Sequence, residues 1–346
     1  MLRLSVLDQS PIPEGSTGAR ALRETVALAQ LADRLGYHRY WVAEHHGGPM
    51  LASPGPEILI GPIAAATAGI RVGSGGVMLP HYSPLKVAES FSMLAGLHPG
   101  RIDLGIGRAP GTDGRTMLAL QRDRRQAAPD DFPQQLAELL GYLEDALPSD
   151  HPFAQHARWL PGRPERPDPW LLGSSPQSAV WAAELGLPYA FADFINPRGA
   201  AIAHHYQEAF QPSARRATPE TAVGVWALAA ETDEEAQLLA TSARMAMTLL
   251  REGRLIEVPT VERAVRFLRE RGRPLDAGGR SRRTIVGTPA RVRAGIEQVA
   301  ADYRAQEAIV VTITHDPAAR RRSYELIADA FALAPRAGGP AAAPAR

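Results

Sequence analysis

The 346-residue sequence contains no cysteine. This absence excludes disulfide bonds, thiolate metal ligands, iron–sulfur clusters and a cysteine nucleophile. Because a chain without cysteine suits a reducing compartment, we expect a cytoplasmic protein.

Long apolar runs and an excess of one charge are also missing. No stretch approaches the roughly 18 apolar residues of a membrane span, and the N-terminal apolar run in MLRLSVLDQSP is too short for a signal peptide. Lys+Arg 38 against Asp+Glu 37 gives a formal net charge of +1, which predicts no basic surface for nucleic acid. With 45% hydrophobic and 22% charged residues, the chain is expected to be soluble and globular, with neither a nucleic acid nor a membrane as partner.

The sequence does contain a regular alternation of strand and helix patterns. Short apolar runs predict eight strands, most of them followed by apolar residues at helical spacing. The predicted strands span residues 2–7, 40–43, 70–79, 101–106, 169–172, 188–192, 221–229 and 308–313. This order favours an α/β fold, a single (β/α)8 TIM barrel, over two Rossmann halves. The candidate dinucleotide fingerprint at residues 105–111 has proline where the third glycine is required.

Two stretches are longer than an ideal barrel needs. Residues 108–131 form a polar loop, and residues 251–283 form an insertion before the last strand with one predicted helix, VERAVRFLRER. Long loops after barrel strands lie at the C-terminal rim, so both are candidate lids, and surface insertions without a role are an equal alternative. We predict a barrel domain over residues 1–334 and a disordered, low-complexity tail over residues 335–346.

The second predicted strand ends in Glu44, His45 and His46. These residues could form a metal site, an acid–base site or a polar strand end. Because side chains alternate along a strand, Glu44 and His46 are expected on one side and His45 on the other, so the two histidines do not easily share one metal. The other strand ends supply few ligands, and no metal site is predicted. A rim histidine can instead serve as a general acid, a general base or a hydrogen-bond donor.

A run of glycines interrupts the third predicted strand, at residues 73–76 (GSGG). Interior glycine weakens a strand, and its usual causes are a β-bulge or a flat ligand pressed against the backbone. Either cause is compatible with the sequence.

The fifth predicted strand runs into LLGSSPQS, which contains Gly173, Ser174, Ser175 and Ser178. Hydroxyls and backbone amides at a helix N-terminus can bind phosphate. Simple helix capping by serine explains the turn by itself equally well. Arg108, at the end of the fourth strand, would lie on the same rim and could pair with a phosphate.

These motifs together resemble the bacterial luciferase-like flavin monooxygenases, in particular a bacterial subgroup with mostly unassigned substrates. The resemblance covers nearly the whole chain. It is carried in order by LSVLDQSPI, LGYHRYWVAEHH, RVGSGGVMLP, PLKVAESF, HPGRIDLGIGRAPGTD, LLGSSPQSAVWAAELGLPYAFA, GTPARV and HDPAARRRSYELI. The family implies a (β/α)8 barrel that binds FMN at the C-terminal rim, with chemistry at the flavin C4a position.

The resemblance also implies roles for individual residues. The family's catalytic histidine falls on His45, with Glu44 in support, and its non-proline cis peptide beneath the flavin falls on Gly75–Gly76. Cofactor-binding residues are then Gly75, Gly76, Val77, Met78, Arg108, Gly173, Ser174, Ser175 and Ser178. Two departures stand out: Ser174 replaces a carboxylate of the luciferase subunit, and the reactive cysteine of the luciferase pocket is missing, so light emission is not expected.

The activity implied by the resemblance is that of a two-component monooxygenase. A separate flavin reductase would supply reduced FMN, which adds O2 to give a C4a-peroxyflavin that oxidises a small organic substrate. Hydride transfer with FMN or deazaflavin F420, and flavin binding without turnover, are the alternatives. The family often pairs barrels through early helices, so we expect a homodimer through residues 19–35 or 85–97. The sequence does not identify the substrate.

Overall fold

Eight parallel strands close into a barrel in the computed structural model, which describes residues 2–109, 111–126, 130–275 and 284–336. The strands are β1 (Arg3–Asp8), β2 (Arg39–Val42), β3 (Arg71–Met78), β4 (Ile102–Gly107), β5 (Asp168–Gly173), β6 (Tyr189–Ala192), β7 (Thr221–Ala229), β8 (Ile285–Gly287) and β9 (Glu307–Val311). The ring runs from β1 through β7 in order and then through β9 back to β1. The short strand β8 lies outside this ring and pairs with the last three residues of β7, Ala227–Ala229. The predicted (β/α)8 barrel is confirmed.

Helices follow the strands and pack around the barrel. They are α1 (Gly18–Leu35), α2 (Pro56–Ala66), α3 (Pro84–Leu97), α4 (Gly114–Leu120), α5 (Phe132–Glu144), α6 (Pro176–Glu184), α7 (Ala200–Ala209), α8 (Asp233–Arg251), α9 (Val261–Glu270), α10 (Pro289–Asp302) and α11 (Pro317–Ala330). Local chemistry sets their ends. The Thr17 hydroxyl accepts the Arg20 N–H at the start of α1, and Gly36 ends that helix at a φ of +89°. No helix among the described residues has the length and apolar character needed to span a membrane.

The region between β7 and β9 is more elaborate than the sequence predicted. The insertion at residues 251–283 does contain a helix, α9, but the strand β8 and the helix α10 were not predicted. With three residues, β8 is too short to show a periodic pattern. The C-terminal part of the described chain returns to α1, where Arg336 Nη1 lies 3.1 Å from Asp33 Oδ1. Residues 337–346 lie outside the described residues, so disorder of the tail stays a prediction.

A buried polar network lies at the bottom of the barrel. Arg39 and Glu307 are the first residues of β2 and β9, and Asp103 is the second residue of β4, so the parallel strands bring all three to the same end. Arg39 Nη1 lies 2.9 Å from Asp103 Oδ2, and Arg39 Nε lies 3.1 Å from Glu307 Oε1. The guanidinium also lies 4.5 Å from the ring centre of Trp170. This paired network fills the N-terminal end, and the cavity described below lies at the opposite end.

Candidate active site

A cavity of about 540 Å³ lies inside the C-terminal end of the barrel, a size typical of small-molecule sites. Most of the residues with a predicted site role line it: His45, Gly75, Gly76, Met78, Arg108, Gly173, Ser174, Ser175 and Ser178. Glu44 and Val77 are not among its lining residues; the Val77 side chain packs in the core between barrel and helices. The remaining lining side chains are mainly aromatic and aliphatic.

His45 presents an uncharged imidazole to the cavity. Its backbone N–H donates to Ser53 O at 2.9 Å, which fixes the chain just beyond β2. Its Nδ1 is buried and has no hydrogen-bond partner among the described residues. Burial, with a smaller contribution from neighbouring His46, lowers the pKa of His45 to about 4. The ring is therefore neutral at pH 7 and can accept a hydrogen bond or a proton.

Glu44 and His46 point away from the cavity, on the opposite side of the chain from His45, as the alternation of side chains predicts. Glu44 is fully buried, and its Oε1 lies 2.7 Å from His46 Nε2. Its Oε2 accepts the backbone N–H of Met78 at 2.9 Å. Glu44 thus ties the end of β2 to the end of β3. This geometry suits a positioning residue for His45 rather than a group that exchanges protons in the cavity.

His81 adds a third polar side chain to this cluster, which the sequence patterns did not reveal. One ligand atom from each of Glu44, His46 and His81 lies within 4.8 Å of the others, a spacing that could hold a metal ion. Both Glu44 oxygens already have hydrogen-bond partners, His46 and the Met78 N–H. We therefore interpret the cluster as a brace for the rim, and the predicted absence of a metal stays a prediction.

The glycines of β3 form a side-chain-free wall of the cavity. The peptide bond between Gly75 and Gly76 is cis, and the pairing of β3 with β4 shifts register there. The strand is therefore irregular at the glycines, and the two explanations open at the sequence level, a bulge and a flat ligand, both stay predictions. A Cβ at Gly75 would lie 2.5 Å from Leu7 Cδ1, and one at Gly76 would lie 2.7 Å from Gly105 O. Backbone packing therefore requires glycine at position 76, whereas a Cβ at position 75 would require the Leu7 side chain to move.

The turn between β5 and α6 forms the end of the cavity at which the sequence predicts an anion site. Ser175 occupies the N-cap of α6, but its side chain makes no capping hydrogen bond, which disfavours the simple capping interpretation. Ser178 shapes the turn, because its Oγ donates to Ser175 O at 2.8 Å and lies 2.8 Å from the Tyr189 hydroxyl. A Cβ at Gly173 would collide with Ser178 Oγ at 2.1 Å. Ser174, Ser175 and the first amides of α6 are thus placed to bind an anion.

Arg108 supplies a positive charge on the same side, at the end of the neighbouring strand β4. Its Nη2 donates to Asp130 Oδ2 at 2.7 Å, and its guanidinium lies 5.5 Å from the ring centre of Trp181. The Asp130 side chain is 74% exposed, so the pair is a weak surface ion pair. A phosphate could displace Asp130 at little cost.

Both long segments reach the rim beside His45. The Thr112 hydroxyl donates to His46 O at 3.0 Å, and a Cβ at Gly47 would lie 2.4 Å from Thr116 Oγ1. From the other insertion, Leu255 lies against Gly48. The two segments therefore lie at the rim, as the sequence predicted. Their function as lids stays a prediction. Within these two segments, residues 110, 127–129 and 276–283 lie outside the described residues.

Gln9 is the main cavity residue that the sequence patterns did not reveal. It follows β1, is 8% exposed and lines the cavity. A single glutamine matches no catalytic motif. The only signal was its position two residues after Leu7, on the inward face of the first strand.

Sequence comparison gives the chain a family. A family model described as luciferase-like monooxygenase matches residues 2–306. The uncharacterized protein YwcH of Bacillus subtilis is 45% identical over 334 residues, 96% of this chain and all of that protein. The N-acetyl-S-alkylcysteine monooxygenase of the same organism is 39% identical over 338 residues, 97% of this chain and all of the relative.

Solved structures show the same architecture. Apo-MsnO8 superimposes with a TM-score of 0.87 at 43% identity, covering 97% of this chain and all of that one. The oxygenating constituent of 3,6-diketocamphane monooxygenase from Pseudomonas putida, in complex with FMN, gives 0.69 at 20% identity over 94% and 96% of the two chains. An F420-dependent secondary alcohol dehydrogenase gives 0.60 at 14% identity over 95% and 98%, and these last two show the fold alone. With the family match across most of its length, the chain belongs to the luciferase-like monooxygenases.

Proposed function

We propose that the protein is an FMN-dependent monooxygenase that uses reduced FMN, supplied by a separate flavin reductase, and O2 to oxidise a small organic substrate. The observation that carries the proposal is one cavity lined at one end by Arg108, Ser174 and Ser175, residues suited to a phosphate, and on another wall by His45, whose low pKa keeps it neutral. Reduced FMN, when bound, supplies the electrons and the site at which O2 reacts.

The residues present fit FMN by their chemistry. The uncapped start of α6 and the guanidinium of Arg108 suit a phosphate. The backbone wall at Gly75–Gly76 carries no side chain that would obstruct a planar ring. The His45 ring lines the cavity, where it can contact a ligand or a reacting group, and its buried Nδ1 has no hydrogen-bond partner among the described residues.

We assign proton handling to His45 and its orientation to Glu44. A pKa of about 4 keeps the His45 imidazole uncharged at neutral pH, so one of its two ring nitrogens can accept a proton as reaction proceeds. Glu44 holds the neighbouring residue His46 and the Met78 N–H, and thereby fixes the rim segment that carries His45. The mainly apolar lining limits the access of water to the reacting centre.

The test is the fate of O2 when photoreduced FMN is mixed with excess protein and no substrate. We expect wild-type protein to release hydrogen peroxide more slowly than free reduced FMN does, and His45→Gln to release it faster than wild type. His205→Gln, at an exposed position on α7, is the matched control and should behave as wild type. Peroxide release at the free-flavin rate with wild-type protein would reject the proposal.

Parallel titrations with oxidised FMN and F420 distinguish the hydride-transfer alternative, which requires tight F420 binding and weak FMN binding.

We further propose a homodimer that forms through α2 and α3. Ile58 on α2 is 73% exposed, and Met93 and Leu97 on α3 are 54% and 70% exposed. The two helices are in contact, and exposed apolar side chains on neighbouring elements can mark an interface. Of the two regions expected from the sequence, residues 85–97 are the better supported. A cytoplasmic location stays a prediction.

A further inference from the structure

Gln9 is a buried polar side chain that the proposed chemistry does not use. It is 8% exposed, lines the cavity, and makes no side-chain hydrogen bond with any residue in the described part of the chain. Neither polar atom of the Gln9 carboxamide is sealed in the protein interior, so both a donor and an acceptor are accessible from the cavity. A polar side chain that faces a binding cavity and has no partner in the described part of the chain is a candidate for ligand binding.

The pairing of β1 with β2 places Gln9 on the same wall as His45. Asp8 pairs with Val42, so Gln9 lies beside Ala43. His45 comes two residues after Ala43, so its side chain points to the same side of the chain. All three of these inward positions line the cavity.

A second link connects the two residues beyond the strands. The Ala52 N–H donates to Ser10 O, and the His45 N–H donates to Ser53 O, both at 2.9 Å. Residues 52 and 53 therefore bridge the chain that follows Gln9 and the chain that carries His45. The two side chains belong to one rigid wall, which we call the β1–β2 wall.

Hydrogen bonds fix the backbone on both sides of Gln9. Asp8 Oδ1 accepts the Ser10 N–H at 2.7 Å and the Arg320 guanidinium at 2.6 Å. On the other side, Ser10 has a φ of +50°, and its Oγ accepts the Thr25 hydroxyl at 2.8 Å. This support leaves little backbone freedom to lose when Gln9 binds a ligand.

The β1–β2 wall is remote from the phosphate end and carries no charge among its described lining residues. In the eight-stranded ring, β1 is four strands from β5 in either direction, so Gln9 lies across the barrel from Ser174 and Ser175. The cation Arg108 belongs to the phosphate side. Leu7, Trp41 and Ile309 line the cavity next to Gln9 and are apolar.

We propose that Gln9 is a substrate-binding residue which, together with His45, forms a hydrogen-bonding subsite for an uncharged carbonyl or amide group of the organic substrate. The apolar remainder of the substrate packs against Leu7, Trp41 and Ile309. A carboxamide both donates and accepts hydrogen bonds, but it carries no charge to balance a carboxylate. The proposal rests on the proposed function, which identifies this cavity as the place of reaction.

Three probes of the same shape test the subsite: 4-phenylbutan-2-one, the hydrocarbon isopentylbenzene and the anion 3-phenylpropanoate. Their affinities are measured by ligand-observed NMR for the protein with and without FMN. We expect wild-type protein to bind the ketone about tenfold more tightly than either other probe, as one satisfied buried hydrogen bond implies. Gln9→Met should remove this preference and leave hydrocarbon affinity within about twofold.

The controls separate this role from the alternatives. Gln298→Met, at an exposed position on α10, should keep the ketone preference. Gln9→Met should not lower the melting temperature, because it removes no hydrogen bond within the described protein. Absence of a ketone preference in wild-type protein, its survival in Gln9→Met, or a large loss of thermal stability would overturn the proposal. So would a loss of FMN affinity in Gln9→Met with the ketone preference intact. A preserved ketone preference without any FMN binding would instead reject the proposed function.

Discussion

The low pKa of His45 makes the stability of the protein depend on pH in a way that one substitution removes. The group has a pKa of about 4 in the folded protein, against an ordinary value of 6.5. Between about pH 4 and pH 6.5, His45 is mainly protonated in the unfolded chain and mainly neutral in the folded protein. The free energy of unfolding is therefore unaffected above about pH 6.5 and falls as the pH decreases toward 4.

The magnitude follows from the two pKa values. At about 1.4 kcal/mol per pKa unit, the whole effect is about 3 kcal/mol, and the part lost between pH 7.5 and 5 is about 2 kcal/mol. His45→Gln removes the titrating group, so the stability difference between wild type and variant should change by about 2 kcal/mol over that range. Urea denaturation at pH 7.5, 6.5, 5.5 and 5 measures it.

Other histidines do not disturb this comparison. Burial also lowers the pKa values of His38 and His98, but their contributions are common to both proteins and cancel in the difference. His205→Gln, at an exposed position, should show a nearly constant difference from wild type. A wild-type-minus-His45→Gln difference that stays constant within about 0.5 kcal/mol from pH 7.5 to 5 would refute the reasoning and with it the neutral, buried state of His45.

Three further predictions concern the supports of the site. Glu44→Ala leaves His46 and the Met78 N–H without their partner, and should lower the free energy of unfolding by about 2–4 kcal/mol in urea denaturation; a loss below about 0.5 kcal/mol would contradict the brace. Arg320→Met leaves the buried Asp8 carboxylate without its cation, and should lower the free energy of unfolding by about 3–5 kcal/mol in the same assay. An unchanged free energy of unfolding would show that this ion pair does not stabilise the turn at Gln9. Leu97→Glu places a charge on the proposed interface and should convert dimer to monomer in sedimentation velocity; an unchanged sedimentation coefficient of a dimer would place the interface elsewhere.

Local sequence patterns were sufficient for the barrel and for part of the site. Apolar runs located the eight barrel strands, because fully buried parallel strands are nearly continuous in Val, Ile, Leu and Ala. The period of two correctly separated His45 from Glu44 and His46. The glycines of β3 indicated that this strand is irregular, and its pairing with β4 does shift register between Ser74 and Val77.

The features that were missed depend on contacts between distant parts of the chain. Arg39 pairs with Glu307 across 268 positions, and no local pattern reveals such a pair. His81 joins Glu44 and His46 only because β2 and β3 are neighbours in the barrel. Gln9 was missed because a lone amide has no signature until its burial and its lack of partners are known. The depressed pKa of His45 likewise follows from burial, which the motif alone does not specify.

The most direct measurement of the central claim is the affinity of the protein for FMN relative to riboflavin, which lacks the phosphate. Arg108 and Arg125 are both exposed arginines paired with aspartates in the same long segment, but only Arg108 lines the cavity. Fluorescence titration should show FMN binding at least about tenfold more tightly than riboflavin, as a charge-assisted phosphate contact implies. Arg108→Met combined with Ser175→Ala should reduce that ratio toward one, while Arg125→Met should leave it unchanged. Equal affinities for FMN and riboflavin in wild-type protein, or a ratio that survives the double substitution, would contradict the assignment of this cavity as a flavin phosphate site.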